Sequence, residues 1–398
     1  MSKVERDVNA RLDSSAMRAR IDAWVPVNSG TRNLRGLETM AQLLGNALSP
    51  LPGELRLIAP AGVEAVNASG QVELIEHGDH LLLSVRPDAE RRMMFFGHMD
   101  TVYAADHAFQ AMTMREDGAL VGPGVTDMKG GLSVLVEALL ALEAQQAIDD
   151  LGYDVLINSD EETGSLSSAG LIADVAHGKI AAFGYEPALP DGTLAGARGG
   201  TGNFALVVRG RSAHAGRNPE EGRNAIVAAA GLAIALAAEA GPLLSINPAR
   251  IDGGAPNNVV PDLAVLRVNF RPRSRTAIEA ARSALDRIAA DIAAAHDVVV
   301  EVHGVFNRPP KPIDPAAERL FALVEAAGRD LGMRLERHDT GGVCDGNNVA
   351  AAGVPVVDTM GVRGGAIHSA DEYLLLDSLH ERAALSAMAV LRIAREFR

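Results

Sequence analysis

The side chains best suited to chemistry in this sequence are His98, Asp100, Asp127, Glu161, Glu162, Glu186 and His368. In Gly97-His98-Met99-Asp100-Thr101, residues two apart on an extended chain share a face, so the imidazole can turn toward a metal while the carboxylate meets its other nitrogen. A hydrogen-bonded turn is the plainer reading of such a pair. The stretch Gly122-Pro-Gly-Val-Thr-Asp127-Met-Lys-Gly-Gly131 is a glycine-rich approach to a helix, where Asp127 reads either as a cap or as a ligand. It satisfies neither the phosphate-loop nor the dinucleotide fingerprint. Asp160-Glu161-Glu162 reads as a solvated loop or as a metal-facing turn. Glu186 reads as a surface carboxylate or a ligand, and His368 as a buried structural histidine or a ligand.

Considered jointly, His98, Asp127, Glu162, Glu186 and His368 favour the ligand readings, because they fall at successive expected strand exits. A divalent cation such as zinc accepts imidazole nitrogen and carboxylate oxygen. Two such ions about 3.5 to 4 Å apart need a shared ligand, which a two-oxygen carboxylate can be. Asp127, Glu162 and Glu186 together with one hydroxide offset the charge of two divalent ions. Glu161 is then free to act as a base.

The elements that must position these groups follow from hydropathy. Between residues 93 and 186, short apolar runs at Met93 to Phe96, Tyr153 to Asn158 and Ile180 to Tyr185 alternate with helical patterns such as Leu132 to Ala147. That alternation predicts an α/β layered fold with a mostly parallel sheet, in which ligands bind at the carboxyl ends of the strands. From 199 to 306 the order becomes β-α-β-β-α-β, with strands expected at Asn203 to Arg209, Leu244 to Ile251, Leu263 to Phe270 and Val298 to His303. Helices are expected at Arg223 to Ala240 and Thr276 to Ala295, which completes a ferredoxin-like unit. Asn307-Arg-Pro-Pro-Lys-Pro312 can continue neither a helix nor a central strand and marks the far boundary. The division expected is 1–198 and 307–398 for a metal-binding unit in two parts, with 199–306 inserted between them. In the second part, Pro315 to Leu331 and Leu376 to Glu396 read as helices and Val354 to Val357 as a strand.

Composition narrows the partners. The 51 acidic against 37 basic residues leave a formal charge of −14, basic residues are scattered and aromatics are 4%, so no nucleic-acid partner is expected. The longest apolar run, Ala225 to Ala238, ends at Glu239, too short to span a bilayer, and no membrane association is expected. The N-terminal residues are charged and lack the apolar core of a signal peptide. With Cys344 as the single cysteine, the expectation is a cytoplasmic protein.

The motifs His98-Met-Asp100-Thr-Val, Gly122 to Gly131, Asp160-Glu161-Glu162-Thr-Gly164, Glu186-Pro187, Ser212-Ala-His214-Ala-Gly216 and His368-Ser occur in an order and spacing that strongly resembles the M20 metallopeptidases. Within them, His98 to Tyr103 is most similar to the glutamate carboxypeptidase (carboxypeptidase G2) branch. The resemblance implies a zinc-peptidase domain split in sequence, with the ferredoxin-like unit inserted as a lid that also forms a homodimer. It implies two divalent ions per subunit, zinc first, with cobalt or manganese as alternatives. His98, Asp127 and Glu186 would hold one, and Asp127, Glu162 and His368 the other, with Asp127 bridging. Asp100 would orient His98, and Glu161 would be the general base. His214 would reach the partner subunit's site to stabilise the oxyanion. Asn258, Arg271 and Arg308 would form a substrate clamp, since an arginine fork suits an α-carboxylate. The loop Thr340 to Gly346 would add main-chain donors or simply turn the chain, with Cys344 a packing residue.

The implied activity is hydrolysis of an amide next to a free C-terminal amino acid, in an N-acyl amino acid or peptide substrate. An N-acyl amino-acid deacylase of the acetylornithine deacetylase kind is the alternative, and an inactive binding module is the reading from another class. One departure bears on specificity. No lysine occurs between Lys179 and Lys311, whereas glutamate-specific members place one ahead of the lid.

Overall fold

The computed structural model describes residues 1–396. At its centre is a six-stranded sheet in the spatial order Glu54–Ile58, His80–Val85, Gly152–Asn158, Arg92–His98, Ala181–Gly184, Val356–Val357. The last four are mutually parallel, and His80–Val85 runs against both its neighbours. Parallel strands buried on both faces read as unbroken apolar runs. Along Arg92–His98 the side chains alternate. Met93 and Phe95 enter one core with the helices Gly131–Ala144 and Ser378–Glu396, while Met94 and Phe96 enter another with Ala169–Ala176 and Asp345–Ala351.

The strands expected from hydropathy appear within a few residues of their reading. Not anticipated were the helices Lys3–Asn9, Ser14–Trp24 and Leu34–Leu48, which close one face of the sheet, and the strands Glu54–Ile58 and His80–Val85. Side-chain caps start many of the helices. Asn33 accepts from the Gly36 amide, and Asp314 from that of Ala317 with Pro315 at the first position of Pro315–Asp330.

Residues 201–308 form a second, antiparallel sheet in the order Leu244–Gly253, Leu263–Pro272, Thr201–Arg209, Val299–Arg308. The helices Ala225–Ala238 and Arg275–His296 cover one face, packing on Phe204, Leu206, Leu266 and Phe270. On the other face, Val66 from the hairpin Val63–Val66/Val72–Ile75 meets Ala205, Val207 and Val265. The chain enters and leaves this sheet by two segments that bond to each other. Arg198 N–H donates to the Lys311 carbonyl at 2.9 Å, and Lys311 N–H to that of Arg198 at 3.0 Å. Beneath the crossing, buried Asp358 receives Arg198 at 2.8 Å and Lys311 at 2.9 Å.

A small sheet, Gly364–Gly365/Tyr373–Leu374/Leu120–Val121/Thr113–Met114, brings the loop bearing His368 back over the central sheet's carboxyl edge. Among the described residues, no helix is long and apolar enough to cross a membrane.

Candidate metal centre

His98 ends its strand, Glu161 and Glu162 lie in a single turn three and four residues past Asn158, and Glu186 lies two past Gly184. Three parallel strands thus deliver their following residues to one edge. Asp127 sits in the turn Val125–Gly130 with extended backbone (φ −113°, ψ 92°), joined to Met128 by a cis peptide bond. It is not the cap of the following helix. Gly124 opens this turn at φ 70°, and a Cβ there would lie 2.6 Å from Thr101 Cγ2, so the position requires glycine.

The two oxygens of Asp127 face different partners. Oδ1 lies 3.1 Å from His98 Nε2, which is itself 3.9 Å from Glu186 Oε1. Oδ2 lies 3.3 Å from His368 Nε2, which is 3.3 Å from Glu162 Oε2. One ligand atom each from His98, Asp127 and Glu162 falls within a 4.8 Å span. His368 is half exposed, on backbone with φ 61°, and the rest of the cluster is largely buried.

Asp100 does more than the sequence suggested. The His98 Nδ1 lies 3.0 Å from the Asp100 main-chain oxygen and 3.4 Å from its Oδ1. The Asp100 carboxylate also accepts the amides of Glu161 at 3.1 Å and Glu162 at 3.2 Å and the Thr31 hydroxyl at 2.7 Å. It therefore holds the acidic turn as well as the imidazole. Asp160, part of what could be a solvated loop, is fully buried, taking the Ser167 amide at 2.7 Å and the Ser168 hydroxyl at 2.6 Å.

Sequence reasoning missed Glu372. Its Oε1 accepts the amides of Thr126 and Asp127 at 2.9 and 3.0 Å, and its Oε2 accepts the Gly124 amide at 2.9 Å and the Tyr103 hydroxyl at 2.8 Å. The available signal was its position four residues after His368, masked by neighbouring Asp371.

Electrostatics follow from crowding acids in a buried space. Burial is the largest influence on Glu161, pushing it up to about 8 against the pull of Arg308 and His98. Burial and then Asp127 push Glu162 up to about 7, and burial likewise raises Glu186. Burial also works to raise Asp127, but its bonds to His368 and His98 hold it below the usual carboxylate range. Hydrogen bonds from Asp127 and Glu162 raise His368 to about 10. The cluster thus has more acidic charge than its own cations offset. Imidazole and carboxylate donors with a surplus of negative charge fit divalent cations.

Other anticipated residues stand elsewhere. His214 and Asn258 are exposed and adjacent, with the Ala215 amide donating to the Asn258 carbonyl at 2.9 Å. Neither joins the cluster's hydrogen bonds or ion pairs within the described chain. Arg271 is exposed, and its Nε donates to Asn269 Oδ1 at 2.8 Å. Arg308, expected in a clamp, is 5% exposed and directed at Glu161, with Nη2 2.8 Å from Oε1. Cys344 is buried against Asp358, and burial pushes its thiol pKa up, consistent with packing.

The chain is similar to known proteins in sequence and fold. The profile of peptidase family M20/M25/M40 matches residues 94–392. Carboxypeptidase G2 of Pseudomonas sp. (strain RS-16) is 26% identical over 385 residues, 93% of this chain and 88% of that protein. A succinyl-diaminopimelate desuccinylase of Verminephrobacter eiseniae is 27% identical over 310 residues, 73% of this chain and 76% of that protein. A tripeptidase from Staphylococcus aureus superposes with a TM-score of 0.74 at 20% identity, covering 97% of this chain and all of that one. The chain belongs to peptidase family M20/M25/M40 and is a metallohydrolase of peptide or amide bonds.

Proposed function

We propose that the protein is a two-zinc hydrolase that cleaves the amide bond next to a free C-terminal amino acid, in the manner of carboxypeptidase G2. The observation that carries this reading is the split of Asp127, whose two oxygens face His98 with Glu186 on one side and His368 with Glu162 on the other. A carboxylate so placed would serve two ions. His98, Asp127 and Glu186 would hold the first and Asp127, Glu162 and His368 the second. When bound, the ions supply Lewis acidity to the scissile carbonyl and acidify water.

The chain's own residues do the rest. Asp100 keeps His98 oriented by its Nδ1 contacts, leaving Nε2 for the cluster. Glu161 takes the proton of the attacking water on its carboxylate and returns it to the departing amine nitrogen. Burial raises the Glu161 carboxyl, which makes its ionised form a stronger base than an exposed carboxylate.

Segment 199–306 acts in this reading as a lid domain inserted between 1–198 and 307–398, and as the surface of a homodimer. In its favour, the strand Leu244–Gly253 is hydrogen-bonded on one side only, and the neighbouring helix exposes Val227 at 51% and Ile234 at 74%. His214 and Asn258 would serve the partner's site, and Arg271 the substrate carboxylate. The single buried cysteine suits a reducing compartment, and we place the enzyme in the cytoplasm.

An N-acyl amino-acid deacylase is the second reading, favoured by the desuccinylase relative and by the absence of lysine between Lys179 and Lys311. The deciding experiment is amine release by the zinc-loaded protein from N-acyl amino acids, dipeptides and folate-type glutamate conjugates, with Glu161→Gln as control. Release confined to the native protein supports the hydrolase, and the preferred acyl group separates the two readings. Equal release by the control would overturn it.

A further inference from the structure

Arg308 is the last residue of the strand Val299–Arg308, paired in register with Thr201 at the point where the chain leaves the second sheet. Its guanidinium does not face open space. Nη2 donates to the Glu161 carbonyl at 2.8 Å and to Ser165 Oγ at 2.7 Å, and lies 2.8 Å from Glu161 Oε1. Asp345 Oδ1 stands 3.5 Å from the same nitrogen. Asp345 is fixed in turn by Asn158 Nδ2 at 2.6 Å and by a hydrogen bond from Ser165. One arginine therefore grips both the main chain and the side chain of Glu161, from a socket anchored to the strand that precedes the acidic turn.

We propose that Arg308 is a positioning residue for the base Glu161 and not part of a substrate clamp. The inference rests on the reading of Glu161 as the base. The physical argument has two parts. A buried carboxylate without a fixed partner can turn away from the cluster, and the guanidinium 2.8 Å from its Oε1 holds it in one orientation. With Oε1 held by the ion pair, Oε2 is the oxygen left to exchange protons with water and amine. Because Arg308 closes a strand of the inserted sheet, the aim of the base is also tied to the seating of that sheet on the metal-binding unit.

The two roles separate kinetically. A clamp contributes to binding substrate, so its loss raises KM, whereas a residue that aims the base acts on kcat. The experiment measures kcat, KM and bound zinc for full-length, zinc-loaded Arg308→Gln, Arg308→Lys, Glu161→Gln and the Glu161→Gln/Arg308→Gln double variant. Arg308→Gln is expected to lose about 10- to 100-fold in kcat with KM and zinc content near native. Arg308→Lys, which keeps the charge but not the reach and planar geometry of the guanidinium, falls between. The double variant is no slower than Glu161→Gln alone, because Arg308 acts through that carboxylate. A raised KM at native kcat in Arg308→Lys, or further loss in the double variant, overturns the proposal. Should Arg308→Gln fail to fold, Arg308→Lys carries the same test. Native turnover by Glu161→Gln would instead sink the base assignment itself, which distinguishes the two failures.

Discussion

The Glu372 carboxylate accepts the main-chain amide of Asp127 at 3.0 Å, and by this bond the loop that carries His368 is fastened to the residue at the centre of the cluster. The same carboxylate takes Gly124, Thr126 and the Tyr103 hydroxyl, while Tyr103 also donates to the Ser369 carbonyl at 2.8 Å. Two segments more than 240 residues apart in sequence are thereby locked in one geometry.

Removing that lock is expected to loosen metal binding without deleting any ligand. Glu372→Ala leaves three buried amides unpaired, and zinc affinity should fall by about 10- to 100-fold. Tyr103→Phe, which removes one bond to Glu372, should cost less. Zinc competition against a chromogenic chelator measures both, and native affinity in Glu372→Ala would refute the link.

Asp358 governs stability at the chain crossing. Burial works to raise its pKa, but Arg198 and Lys311 reverse this and hold it well below the usual carboxylate range. A carboxyl depressed on folding stabilises the native state above its unfolded pKa of about 3.9, and that stabilisation is lost as pH falls through the lower folded value. Asp358→Asn leaves two buried cations without an anion and should cost about 3 to 5 kcal/mol at neutral pH. Urea unfolding at pH 7 measures it. A cost no larger than that of an exposed Asp→Asn change would exclude the role.

Metal binding and proton transfer should separate by residue. Glu161→Gln is expected to retain zinc while turnover falls by about 10² to 10⁴. His98→Ala is expected to lose zinc as well, since its Nε2 lies 3.1 Å from Asp127 Oδ1 inside the cluster. Chelation should abolish activity in the native protein, and added zinc should restore it. Metal analysis beside amine release checks all three, and equal zinc loss in both variants contradicts the assignment.

What could be read from sequence was what the strands dictate locally. His98 and Glu186 follow apolar runs within two residues and Glu162 comes four residues after one, so their edge of the sheet was legible. Glu372 was not, because its four donors come from elsewhere in the chain and an Asp-Glu pair otherwise looks solvated. Arg308, followed by two prolines, reads in sequence as part of a substrate clamp, yet a neighbouring acidic turn draws it inside. The first 92 residues gave little, since Glu54–Ile58 is a half-exposed edge strand and His80–Val85 carries a histidine at its start. The helix Ala225–Ala238 is apolar all round, which conceals that its Ile234 face is open.

That open face supports the last prediction. His214 and Asn258 lie together on the second sheet's loops, exposed, and His214 donates or accepts nothing to the cluster of its own chain among the described residues. If His214 completes the partner's site, His214→Ala and Glu161→Gln are each inactive alone but complementary when mixed. In a hybrid dimer, the His214→Ala subunit keeps its own Glu161 and receives a native histidine from the Glu161→Gln subunit, so one site is whole. Exchange of subunits before assay should restore turnover, and Ile234→Glu, placed on the apolar face, should abolish both dimer and restoration. Light scattering reports the dimer and amine release the restoration. A native-like dimer whose mixtures stay inactive would confine His214 to its own subunit, and a monomer active by itself would dismiss the shared site altogether.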